Sequence, residues 1–285
     1  MSAIAALRVP LEADLGGFVG LLQRLQVPHR VSEEAGEQVL WVPSEALAAE
    51  VRELFARLPQ GDPRVSALTA PPSAGHLLAN LRASWMTTLV LLLTLLVAGV
   101  TQLGDNLASI RWLNFVDFQR QGDYLLFVPL TDSLAAGQWW RLLTPMLMHF
   151  GLLHLAMNGL WYWELGRRIE ARQGAGGLLA LTLLFAGLSN AAQYLFGGPS
   201  LFGGLSGVLY GLLGYCWIFQ RLAPTPAYRL PPGVLVMMLV WLLLCASGLM
   251  TALGLGAIAN AAHVGGLLAG CLAGLLGGAL ARRDG

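Results

Sequence analysis

From residue 83 to residue 285 the chain runs for 203 residues with only 10 Arg and 7 Asp or Glu. Between those charges lie six segments, each close to the roughly 20 mostly apolar residues that a membrane span requires. They are Ser84–Leu103, Met148–Arg168, Gly176–Phe196, Gly204–Gln220, Gly233–Met250 and Asn260–Leu280. The whole composition agrees: charged residues are 12% of the chain, against about 25% in soluble domains. This excludes a disordered chain, a nucleic-acid surface and an ordinary soluble enzyme. A net charge of +1 provides no large steering field for an acidic partner.

The arginines give the spans a direction. Arg82 precedes the first span, and Arg167, Arg168 and Arg172 follow the second. Arg221 and Arg229 lie between the fourth and fifth, and Arg282 and Arg283 follow the sixth. The connections Gly197–Gly203 and Thr251–Ala259 carry no charge. By the positive-inside rule both termini are expected in the cytosol. The first external loop, about Gly104 to Arg141, is longer than a usual connection and dense in aromatics, so it is expected to lie in the interface.

Residues 1–67 read differently. Up to Arg82 there are 7 Arg and 9 Asp or Glu. Leu15–Leu25 has helical periodicity, Gln38–Val42 is strand-like, and Ser44 is placed to cap a following helix. The expectation is a small cytosolic α/β domain, a linker over 68–83 and a membrane domain over 84–285. No basic n-region precedes an apolar run at the N-terminus, so no secretory signal peptide is expected. Cys216, Cys245 and Cys271 lie in apolar segments without metal-ligand spacing and read as buried thiols.

Polar groups at membrane depth are costly, so each needs a reason. Counting back from the arginines at 1.5 Å per residue, His154 stands about 20 Å above Arg167, Ser206 about 22 Å above Arg221 and His263 about 28 Å above Arg282. Three polar side chains from three spans thus share the outer half of a core roughly 30 Å thick. The Gly/Pro-rich stretch Gly197–Gly204 cannot form good helix, so the fourth span starts late and water is expected to reach its start. Ser206 then lies in a first turn, where free N–H groups and the positive helix end favour a developing anion.

A neutral imidazole within reach of that hydroxyl is a general base. Gly266, Gly270, Gly274 and Gly277 follow His263, and Gly207, Gly211 and Gly214 follow Ser206. Facing small residues let two helices approach closely, which would bring Ser206 to His263. Tyr210, one turn below Ser206, could support the ring. No Asp or Glu occurs between Glu170 and Asp284, so a dyad without a carboxylate is the economical reading. His154 and Asn158 share a helix face. His149 lies about 180° around a straight helix from Asn158, and joins them as an oxyanion donor only if the helix begins near Gly151. A metal or haem site on His149, His154 and His263 is the alternative, with poor spacing and no carboxylate or thiolate nearby; neither metal nor cofactor is expected.

At these residues the chain resembles the rhomboid intramembrane serine proteases, in their bacterial form. The likeness runs from about Trp139 to Gly270: Trp140–Arg141, the His149, His154, Asn158 set, Glu170, the Gly204, Ser206, Gly207, Tyr210, Gly211 set, and Ala262, His263, Gly266 and Gly270. It implies a six-helix rhomboid bundle with Ser206 as nucleophile and His263 as base. It implies an oxyanion hole from His149, Asn158 and the Ser206 N–H, with Tyr210 packed on His263 and His154 and Gly204 as neighbouring supports. Arg141 and Glu170 would be structural. It further implies a single-pass transmembrane protein as substrate, the bilayer as its medium, span five and the loop Thr251–Ala259 as gate and cap, and the bacterial inner membrane as location, with the site opening to the outer face. Two other readings are a non-catalytic relative that retains membrane clients and a histidine-based transporter. The first would normally lack the Ser or the His, and the second expects intramembrane acids or inverted repeats.

Overall fold

The computed structural model describes residues 4–25, 27–59, 74–231, 233–252 and 258–283. The chain divides into two compact units, residues 1–79 and 80–285.

In the first unit, strands β1 (Ile4–Pro10), β2 (Arg30–Glu34) and β3 (Glu37–Val42) form an antiparallel sheet of order β1-β3-β2. Helices α1 (Gly16–Arg24) and α2 (Glu45–Arg57) complete it. Ser44 accepts the Leu47 N–H at 3.3 Å and so caps α2. Phe18, Leu22, Leu40, Val42, Ala48 and Val51 make the core, with Phe18 edge-on to Phe55. The sequence indicated β3 and both helices. It did not indicate β1, whose alternation is broken by an irregularity between Ala5 and Leu7, or β2, which is largely polar. Of the stretch 68–83, residues up to 73 lie outside the described residues, and Ala74–Ala83 is a helix, α3, rather than an irregular connection.

The second unit is helical. α4 (Trp85–Val100) is the first apolar helix. α7 (Leu152–Gly197) holds the second and third, hinged at Gly174 with φ 75°. α8 (Ser206–Leu222), α9 (Val234–Ala246) with the short α10 (Leu249–Ala252), and α11 (Asn260–Arg283) complete the six. α7 and α11 are long and apolar enough to cross a membrane, and α4 and α9 are shorter apolar helices. The loop Thr251–Ala259 falls largely outside the described residues. Cys216 and Cys245 are buried free thiols, and Cys271 is half-buried.

The first loop has structure that its sequence did not announce. It contains α5 (Leu107–Leu113), a hairpin of β4 (Phe118–Gln121) with β5 (Tyr124–Phe127), and α6 (Leu130–Ala135). Trp112, Tyr124 and Trp139 stay exposed on it, and Trp112 stacks on Trp140. Arg141 ties the loop together from within. It is 1% exposed, and its guanidinium donates to Gln138 Oε1 at 2.6 Å and to the Arg111 and Asn114 carbonyls at 2.5 and 2.9 Å. The planar guanidinium, with donors fixed in a fork, suits Arg to such a hub.

Glu170 makes a second joint. Its carboxylate accepts the N–H groups of Met86 and Thr87, each at 2.9 Å, and the Thr87 hydroxyl at 2.7 Å. These are the orphan donors at the start of α4, where a negative charge is favoured.

Candidate active site

The site is organised by the approach of α8 to α11. Gly266 and Gly270 of α11 face the Gly207 and Gly211 backbones so closely that a Cβ at either would overlap a carbonyl oxygen. A Cβ at Gly214 would stand 2.7 Å from the Leu267 carbonyl. Gly207 and Gly211 are also pressed from the other side by Ser189 and Phe185 of α7. The buried ridge on α11 is Ala262, Gly266, Gly270, Gly274 and Gly278. It keeps strict four-residue spacing to the last turn, so Gly278, not Gly277, is the buried member there; such i±4 ridges are what interlocking helices present.

That approach sets His263 Nε2 2.8 Å from Ser206 Oγ. His263 is 5% exposed, whereas Ser206 is half-buried and within reach of solvent or substrate. The Tyr210 ring lies against the imidazole with centroids 5.0 Å apart, and its hydroxyl donates to the Met238 carbonyl of α9 at 3.0 Å. Ser206 opens α8 after the irregular residues 198–204, so it lies in a first turn, whose N–H groups lack intrahelical acceptors.

The histidines and the asparagine come from the start of α7. The helix does begin after Gly151, whose φ of 99° turns the chain sharply. His149 is thereby released from helical phase, and its ring lies 4.9 Å from that of His154. Its Nδ1 faces the Leu147 carbonyl at 3.2 Å, and the Leu205 N–H points at its Nε2 at 3.5 Å. Asn158 Nδ2 donates to the His154 carbonyl at 3.0 Å. Gly204, at φ 118°, lies over both: a Cβ there would stand 2.7 Å from His154 Nε2 and 3.5 Å from Asn158 Nδ2. A glycine is needed both for that φ and for that approach. His149, His154, Asn158, Gly204, Ser206, Tyr210 and His263 therefore form one connected cluster. Arg141 and Glu170 lie outside it, in the joints described above. Among the described residues no group of three or more His, Cys, Asp or Glu is disposed to hold a metal ion.

Several participants escaped the sequence reading. Gln193 Oε1 accepts the Ala262 N–H at 3.2 Å, holding the first turn of α11. Asn190 Nδ2 donates to the Leu142 carbonyl at 3.0 Å. The signal was present: Ser189, Asn190 and Gln193 interrupt an otherwise apolar span at helical spacing. Asn260 is a third case, and its amide donates to the Cys245 carbonyl at 3.2 Å.

A bundle of apolar helices enclosing a serine–imidazole pair defines a class, the polytopic membrane protein with a polar site inside its helical body. The rhomboid domain matches residues 136–279, and the rhomboid N-terminal domain matches residues 1–69. The chain belongs to the rhomboid family, in its bacterial GlpG-type branch, and is an integral membrane protein. It is 46% identical over 141 residues to the rhomboid protease GlpG of Serratia proteamaculans (strain 568), covering 50% of this chain and 49% of that one. It is 44% identical over 135 residues to the rhomboid proteases GlpG of Yersinia pestis (strain Pestoides F) and Yersinia pseudotuberculosis serotype O:3 (strain YPIII), covering 47% of each chain. These alignments span about half the length of the relatives.

Proposed function

We propose that the protein is an intramembrane serine endopeptidase that hydrolyses a peptide bond near the outer end of a transmembrane helix of another membrane protein. The observation that carries this is the 2.8 Å approach of His263 Nε2 to Ser206 Oγ inside a charge-poor helical body. In this reading Ser206 Oγ attacks the scissile carbonyl carbon and its proton passes to His263 Nε2. The oxyanion is received by the Ser206 N–H, the Asn158 amide and His149. His149 must first give up its long contact with the Leu205 N–H and present a protonated nitrogen. The imidazolium returns its proton to the leaving amine, and water then cleaves the acyl-serine by the same relay. No cofactor is required. The substrate is a single-pass protein with a small residue before the cut. The enzyme lies in the bacterial inner membrane with both termini cytosolic and the site open to the outer face; α9 and the loop after it form the gate and cap. Substrate helices must unwind first, so turnover is slow.

The test is cleavage of a synthetic transmembrane helix by the purified protein in liposomes, with Ser206→Ala and His263→Ala as comparators. Loss of cleavage in both variants supports the dyad. Equal cleavage by wild type and Ser206→Ala ends the proposal.

A further inference from the structure

We propose that Asn260 is a positioning residue for the base, its side-chain carbonyl receiving the Nδ1–H of His263 through one bridging water. This rests on the dyad reading above.

The argument starts from the tautomer. For Nε2 to take the Ser206 proton it must be unprotonated, so the neutral ring carries its hydrogen on Nδ1. That nitrogen is buried and has no protein partner among the described residues. Buried donors are almost always satisfied, because an unmet one keeps its full desolvation cost. No carboxylate among the described residues bonds it, and the chain has none between Glu170 and Asp284.

Asn260 Oδ1 is the complementary case, a buried acceptor with no partner among the described residues. Its orientation is fixed by chemistry. Asn260 must present Nδ2 to the Cys245 carbonyl at 3.2 Å, so Oδ1 points the other way. Asn260 opens α11 and His263 follows three residues later, which puts both side chains on one face with Cβ atoms about 5–6 Å apart. One donor and one acceptor, both buried and facing the same turn, are what a single water joins when direct contact is not made. The water holds the ring in the productive tautomer and faces the imidazolium with a polar group once the proton has moved. The amide thereby takes the orienting role that a carboxylate plays in a triad. The other titratable groups around the ring are Ser206, Tyr210 and His154, and none of them reaches Nδ1.

The test uses the full chain in liposomes. Two rates are read: fluorophosphonate labelling of Ser206, and cleavage of a synthetic transmembrane helix. Asn260→Ala removes both side-chain groups, whereas Asn260→Asp keeps the acceptor and loses the donor to Cys245. We expect Asn260→Ala to lower labelling and kcat by about 10- to 100-fold, part of the 10²–10⁴-fold a general base contributes, with KM unchanged within about twofold. Asn260→Asp should recover most of the labelling rate and move the acid limb of its pH profile upward. Equal losses in both variants would reduce Asn260 to a tether for α9 and overturn the proposal, as would no loss in either. If Asn260→Ala does not fold, Asn260→Asp decides alone, and an unmoved acid limb overturns it. A wild type that Ser206 reagents never label indicts the dyad itself, a different failure from that of Asn260.

Discussion

The α8–α11 seam and helix α9 border the same serine–histidine pair, and they are built on opposite terms. The seam is backbone against backbone. Eleven residues of the 17-residue α8 are buried, three of them aromatic and three glycine. In α9 three residues of 13, Met238, Leu242 and Cys245, are buried, while Val236, Val240 and Leu243 stay exposed. Among the described residues two side chains fasten α9 by hydrogen bonds: Tyr210 to the Met238 carbonyl and Asn260 to the Cys245 carbonyl. Interiors packed on backbone atoms are bistable at best and resist deformation, whereas one or two side-chain bonds can open and close at a cost of about 1 kcal/mol each. In the proposed mechanism the serine–histidine geometry therefore belongs to the seam, and the gating movement to the helix held by side chains.

The largest effect should come from the seam. Gly270→Ala places a methyl where the Gly211 carbonyl oxygen already is, and neither backbone can give way without parting α8 from α11. Overpacking of this kind costs about 1–3 kcal/mol or more. The Ser206–His263 contact is lost with it, so fluorophosphonate labelling should fall to background while the unfolding temperature drops. A Gly270→Ala protein that labels normally would break the comparison at its firmer side.

A smaller effect is expected from the looser side. Tyr210→Phe keeps the ring on His263 and deletes only the bond to the Met238 carbonyl. The cost should be about 1 kcal/mol, labelling of Ser206 should persist, and cleavage of a membrane-embedded helix should change more than labelling does, because only the large substrate needs α9 displaced. Equal loss of both activities would place the hydroxyl in the seam's rigid unit instead.

The same contrast explains what could be read in advance. The seam was legible because glycine spacing at Gly207, Gly211, Gly266 and Gly270 is a local code with one physical use in a membrane. Ser206, His263, His154 and Asn158 were legible because polar groups at one depth demand a cause. The hairpin Phe118–Phe127 and helix α5 were not, since an interfacial loop is amphipathic throughout and has no clean period to reveal its elements. Gln193, Asn190 and Asn260 were missed for another reason. Polar spacing marked Asn190 and Gln193 within their span, but the bonds these three residues make, to backbone groups at Ala262, Leu142 and Cys245, join other segments that only the fold brings near. Glu170 stood out as an acid near a helix end, but that it caps α4, 84 residues earlier, only the fold could show.

The smallest effect should come from a titratable joint in the first loop, outside the glycine-on-carbonyl contacts of the seam. In the first loop, Arg111 donates to both Asp117 oxygens, at 2.7 and 3.0 Å. That pairing, helped by the Phe118 N–H and by the charges of Arg111 and Arg141 and opposed by partial burial, holds the Asp117 carboxyl below its ordinary value. A carboxyl depressed in the folded state stabilises it fully above the unfolded pKa of about 3.9 and loses that contribution as pH falls through the lower folded value. Asp117→Asn should therefore lower the unfolding temperature slightly near neutrality and match wild type once pH is well below about 4. The difference is modest because Arg111 is half exposed and the pair is screened by water. A wild-type acid limb surviving unchanged in Asp117→Asn would move the acid-sensitive joint elsewhere. An abolished limb would place the acid sensitivity of the fold in this joint.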